Sequence, residues 1–113
     1  MNDLMLQIRK FIQERDWEQF HSPKNLAMAL SIEAAEIMEH FQWKTAEESR
    51  QLNDDTLNEV KDEIGDTLVY LLRLCDELKI DPIKAAEDKM IKNAVKYPVD
   101  KAKGNAKKYT KFL

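Results

Sequence analysis

Apolar residues recur three and four positions apart along most of this chain, the spacing that lines one side of an α-helix. Leu4, Ile8, Phe11 and Ile12 form such a stripe and predict a first helix over about Asp3–Arg15. A connector from Asp16 to His21 carries Trp17 and Phe20. Ser22-Pro23 reads as an N-cap followed by proline at the first helical position, where a missing N–H loses no hydrogen bond; the second helix runs from there to about Gln42. Thr45-Ala46-Glu47-Glu48 has the form of a capping box for a short helix ending near Gln51. Asn53 caps the third and longest helix, which reaches about Lys79, and Asp81-Pro82 repeats the cap-plus-proline signal ahead of a fourth. That helix must stop near Tyr97, because Pro98 disfavours helical geometry in the residue before it. The tail from Val99 onward, with Gly104 and Lys101, Lys103, Lys107, Lys108 and Lys111, is expected to be irregular and basic. The reading is an all-α protein, four main helices in a single domain over residues 1–113.

Composition narrows the functional classes. With only 2 glycines and 3 prolines there is little material for hairpins, and 43% hydrophobic with 35% charged residues fits a folded helical domain. A formal charge of −3 exerts no global pull toward a nucleic acid polymer or an anionic membrane. Cys75 has no partner for a disulfide, the N-terminus lacks a signal-peptide pattern, and no apolar run would span a bilayer; a cytoplasmic location is expected. Met28, Met38, Leu68 and Leu72 add more apolar surface than one small bundle buries, so a homo-oligomer is expected too.

The chemistry concentrates in two acidic pairs, Glu33-x-x-Glu36 and Glu63-x-x-Asp66. Residues three apart share a helix face, so each pair points two carboxylates one way. Glu33 and Glu36 lie between an apolar sector of Leu26, Leu30, Ile37 and Phe41 and a second marked by Met28 and Ile32, with Ala29 and His40 beside them. Glu63 and Asp66 share a face with Glu59 and Tyr70, flanked by Val60, Thr67, Leu71 and Leu74. An exposed like-charge pair costs only about 0.2–0.5 kcal/mol, so solvated acids are the ordinary explanation of either motif alone. Partly buried, two carboxylates about 5.5 Å apart repel by roughly 3 kcal/mol at an effective dielectric of 20. Should the second and third helices pack antiparallel, four such groups meet, and a hard cation is the natural solution: Mg2+, with Mn2+ next. A ferritin-type di-iron site needs Glu-x-x-His; His40 follows Glu36 by four positions and the third helix has no histidine, so that reading is set aside. Gly65 reads as a close helix-packing point.

Beyond the acids, several strings make this chain resemble the MazG-like all-α nucleoside triphosphate pyrophosphohydrolases, nearest the dCTP pyrophosphatase branch. They are Glu14-Arg15-Asp16-Trp17-Glu18-Gln19-Phe20-His21, Phe41-Gln42-Trp43-Lys44, Tyr70-Leu71, Lys89-Met90, Asn93, Tyr97-Pro98-Val99 and Lys108-Tyr109-Thr110. The resemblance implies cleavage of a nucleoside triphosphate between its α and β phosphates, in nucleotide-pool house-cleaning. It implies Mg2+ on Glu33, Glu36, Glu63 and Asp66, with Glu36 and Glu63 catalytic and Glu36 the acid expected to orient the attacking water. By the same resemblance Trp17, Trp43 and Tyr70 surround the base, and Lys89 and Asn93, four apart on the fourth helix, meet phosphates or sugar alongside Tyr97. His21 either hydrogen-bonds the nucleotide or packs in the connector. Ile8 stands where that branch carries a polar base-reading residue, so a broader or different base preference than cytosine stays open. The implied assembly is a dimer of dimers in which the Lys-rich tail reaches a neighbour's pocket. The competing readings are a phosphoribosyl-ATP pyrophosphatase, against which the paired tryptophans argue, and a non-catalytic helical dimerisation module.

Overall fold

A computed structural model describes residues 2–112 and, for Phe112, the backbone only. Among them α-helix and 3-10 turns are the only regular structure. The helices are α1 (Asn2–Glu14), α2 (Pro23–Glu39), α3 (Ala46–Ser49), α4 (Asp54–Leu78), α5 (Pro82–Lys96) and α6 (Val99–Ala102), with 3-10 turns at Glu18–Phe20 and Tyr109–Phe112. The four long helices thus stand where the apolar periodicity places them. Two compact units divide these elements, one ending at Ile80 and the other starting at Asp81.

The helix starts are set by local chemistry. Backbone N–H groups in the first turn have no helical partner, and a cap side chain supplies one. Ser22 accepts from the Asn25 N–H at 3.2 Å. Thr45 and Glu48 form the full reciprocal box, at 3.1 and 2.9 Å. Asn53 Oδ1 accepts from the Thr56 N–H at 2.8 Å, and Asp81 Oδ1 from Ile83 and Lys84. α2 ends at Glu39, three residues short of the expected Gln42, and the chain continues as a turn in which Phe41 and Gln42 both donate to the Met38 carbonyl.

In the first unit α4 is the central element, packed along α2 and more briefly along α1. The antiparallel sense of α2 and α4 follows from their partners: His40 meets Glu59 and Glu63, whereas His21, just before α2, meets Arg73. Ile8 and Ile12 of α1 pack on Leu72, which is 0% exposed, with Leu4, Met5 and Val69 around them. Arg9 grips Asp76 through two bonds of 2.8 and 2.5 Å at the edge of this contact. Leu26 of α2 is equally deep.

Three expectations change. Leu72 belongs to this core rather than to surplus surface, while Met28, Met38 and Leu68 remain exposed. Gly65 is no packing point within the chain, since a Cβ there would meet nothing within 4 Å. The tail is not wholly irregular: α6 follows Pro98 directly, because proline cannot continue the preceding helix yet can precede a new one. Within the second unit Tyr97 sets its ring edge-on to Tyr109 at 6.2 Å, and Lys96 lies over the Tyr109 ring.

Because the buried core is small, each of its members matters. Leu72→Ala is expected to lower the unfolding free energy by about 2–5 kcal/mol, the range for a fully buried leucine, read from the urea midpoint at unchanged slope.

Candidate functional site

The site begins with how α1 ends. Asp16 takes a left-handed φ of 54°, and the Trp17 N–H turns back to the Ile12 carbonyl at 3.1 Å. This reversal lays the Trp17 ring edge-on against Phe11, 5.8 Å between centroids, and 6.5 Å from His21. The Glu18–Phe20 turn then delivers His21 to the start of α2, and Asn25 ties that turn down by donating to the Phe20 carbonyl. Between this corner and α4 lies a cavity of about 420 Å3. Leu4, Ile8, Ile12 and Val69 form its greasy walls; Phe11, Trp17 and Tyr70 its rings; Gln7, His21, Arg73, Glu33 and Asp66 its polar atoms. Its volume falls in the range of about 300–1,000 Å3 that small ligands occupy.

The acids gather where α2 passes α4. Burial first, then the charge and hydrogen bonding of Glu36, then the charges of Asp66 and Glu63, all raise the Glu33 carboxyl above its ordinary range. Glu33 Oε2 and Glu63 Oε2 are buried without a hydrogen-bond donor. His40 Nε2 stands 2.6 Å from that Glu63 oxygen, an ion-pair distance that lacks hydrogen-bond geometry. Among the described residues no three or more His, Cys, Asp or Glu side chains are already drawn into a closed metal-binding set. Coulombic influence reaches farther than ligation: Glu36, Asp66 and Glu63 all act on Glu33, while Glu63 Oε2 lies against His40. Two orphaned carboxylate oxygens in a hard-oxygen donor set fit a divalent cation.

The sequence-selected residues divide clearly. Trp17, His21, Tyr70, Glu33 and Asp66 line one cavity. Glu36 and Glu63 are half-buried and act on Glu33 beside it. Trp43 is not among the lining residues; it sits in the turn after α2 and is 89% exposed. Lys89, Asn93 and Tyr97 belong to the second unit, where Lys89 is exposed, Asn93 is half-buried and the Asn93 carbonyl accepts from the Tyr97 N–H.

Arg73 escaped the sequence reading. It is only 4% exposed and donates to Glu77 at 2.7 Å, Asp76 at 3.5 Å and His21 Nδ1 at 3.3 Å. Its signal was available in the spacing: Glu59, Glu63, Asp66, Tyr70 and Arg73 recur every four or three residues, the heptad interval of one helix face. A cation inside the run Leu71-Leu72-Arg73-Leu74-Cys75 must be paired to be tolerated. Burial, and then the Arg73 charge, lower the His21 pKa, with Glu77 opposing them.

Fold and site together define an all-α protein with a carboxylate-rimmed aromatic cavity. The chain belongs to the MazG-like family, which matches residues 28–112 and so runs through both units. It is 41% identical over 103 residues to dCTP pyrophosphatase 1 of Bos taurus, covering 89% of this chain and 61% of that protein. The Homo sapiens dCTP pyrophosphatase 1 is 38% identical over 105 residues, 91% of this chain and 62% of the relative. The chain therefore spans about three fifths of the length of these curated relatives. A pyrophosphatase crystal structure from Archaeoglobus fulgidus superposes with a TM-score of 0.82 at 45% identity, over 87% of this chain and 92% of that one.

The raised Glu33 pKa has a definite sign in pH. The folded protein favours the protonated carboxyl, so this stability is full below the ordinary carboxylate range and is lost as pH rises through the raised value. In metal-free buffer, Tm should fall over that interval, and Glu33→Gln should flatten the fall in a calorimetric pH series.

Proposed function

We propose that this protein is a divalent-metal-dependent nucleoside triphosphate pyrophosphohydrolase. It would cleave the α–β phosphate bond of a deoxynucleoside triphosphate, dCTP or a modified relative, to a monophosphate and pyrophosphate. The carrying observation is the adjacency of two features: a carboxylate group that burdens Glu33 with the charge of Glu36, Asp66 and Glu63, and an aromatic cavity lined by Glu33 and Asp66 themselves. An anionic triphosphate would not approach that acidic end unaided, whereas a base stacks readily on rings such as Trp17 and Tyr70, for about 1–3 kcal/mol each. The names of the relatives support the same reaction class.

Glu33, Glu36, Glu63 and Asp66 would hold the cation, Mg2+ in our reading. Such a cation would supply charge neutralisation of phosphate oxygens and a more electrophilic α-phosphorus. Glu36, with an oxygen left free of direct coordination, would orient a water and take its proton as the water oxygen attacks the α-phosphorus. The bond from that phosphorus to the bridging oxygen breaks, and pyrophosphate carries away the electron pair. His40, 2.6 Å from Glu63, stands beside that carboxylate. Trp17 and Tyr70 wall the base, and the roles that resemblance gives Trp43, Lys89, Asn93 and Tyr97 belong to this proposal as well. Since the family match crosses Ile80–Asp81, both units are taken as one functional domain.

A homo-oligomer completes the reading. Leu57, Ile64, Leu68 and Leu71 recur at helical spacing along α4 and are all exposed, as are Met28, Ile32 and Met38 of α2. A helix apolar on two faces normally has a partner on each.

The activity is tested by following monophosphate and pyrophosphate from a panel of canonical and modified triphosphates. Stoichiometric products with Mg2+, lost on chelation, are expected. Glu63→Gln should reduce turnover by more than about 100-fold, as for removal of a preorganised electrostatic group at a reacting centre, at unchanged helical content. Full turnover in that variant would reject the site. For the assembly, sedimentation should report a mass above one chain, and Leu68→Asp should shift it toward the monomer.

A further inference from the structure

We infer that Arg73 is a specificity-determining positioning residue, which fixes His21 as an N–H donor in the cavity wall and so favours bases that present a hydrogen-bond acceptor. This rests on the nucleotide reading above. A guanidinium is planar, permanently charged and able only to donate. Here its plane is held on two sides: one terminal nitrogen donates to Glu77 Oε1 at 2.7 Å, the other to Asp76 Oδ2 at 3.5 Å. Asp76 is itself clamped by both bonds from Arg9, so it anchors the fork rather than following it. The remaining donor, Nε, is directed at His21 Nδ1, 3.3 Å away.

That contact dictates the histidine's chemistry. Nδ1 faces a donor and must offer its lone pair. A neutral imidazole carries one proton, which therefore resides on Nε2. Protonating both nitrogens would set N–H against N–H beside a buried cation, and the lowered His21 pKa agrees with the neutral ring. His21 and Arg73 line the same cavity whose walls are Ile8, Ile12 and Val69. In such apolar surroundings a directed donor discriminates strongly, because a base without a matching acceptor leaves it unpaired. Ile8 is 7% exposed in that wall and can read nothing polar, so selection passes to the pair contributed from the Trp17 corner and α4.

The test uses the full chain, with Arg73→Met and the charge-conserving Arg73→Lys. Long-range 1H–15N correlation should show His21 protonated on Nε2 in the wild type and a tautomer mixture in either variant. Kinetics should compare dCTP with a deoxynucleoside triphosphate bearing a phenyl ring in place of the base. The wild-type preference for dCTP in kcat/KM should shrink about tenfold in Arg73→Met, the scale of one net hydrogen bond, and mainly through KM. If Arg73→Met does not fold, judged by circular dichroism, Arg73→Lys carries the same comparison. A wild-type His21 protonated on Nδ1, or an unchanged preference in a folded variant, overturns the inference while leaving the function intact. A wild-type chain that releases no pyrophosphate from any triphosphate overturns the function, and base selection with it.

Discussion

Mutual repulsion of carboxylates along the seam between α2 and α4 is the constraint around which this molecule is organised. Glu33 cannot shed its burial without leaving the helix pair, and Glu36, Glu63 and Asp66 all act on it there. Glu33, Glu36 and Glu63 are half-buried and Asp66 is exposed, so the cost of desolvation falls on the Glu33 and Glu63 oxygens that the helices cover. His40 lies 2.6 Å from Glu63, yet the Glu33 and Glu63 Oε2 atoms have no hydrogen-bond donor. Positive charge placed beside them would relieve that repulsion.

The second organising feature is the direction in which that acidic region opens. Glu33 and Asp66 belong both to the carboxylate group and to the lining of the aromatic cavity, so a ligand in the cavity lies against the acids. Arg73, also in the cavity lining, stands among Asp76, Glu77 and His21, an arrangement that pairs a buried cation and directs one of its donors at the His21 ring. By itself the acidic end would repel a polyanion, so only with a cation among the acids would the cavity suit a ligand that is polyanionic at one extremity and heteroaromatic at the other.

The apolar core within this chain is small. Ile8, Ile12, Leu26, Val60, Leu72 and Cys75 are the buried apolar side chains among the described residues, and much of α4's second apolar stripe faces outward. Hydrophobic stabilisation follows area removed from water, so a chain like this gains by covering the stripe with another surface. Gly65 lies beside Ile64 on that same helix, with nothing within 4 Å of where a Cβ would stand.

Local chemistry was enough to read the helix starts, because a cap is decided by a side chain and the N–H two or three residues on. Ser22, Thr45, Asn53 and Asp81 all cap as their neighbours predict. The faces of the acids were equally legible, since residues three apart on a helix must point together whatever surrounds them. The antiparallel pairing of α2 with α4, the reversal at Asp16 that carries Trp17 onto Phe11, the separation of Trp43 from the cavity and the pairing of Arg73 with His21 were not legible. Each depends on contacts between residues far apart in the chain, and periodicity ranks faces without naming their partners. The chain alone determined which residues could do chemistry; the packing of α1 and α2 against α4 decided which of them meet.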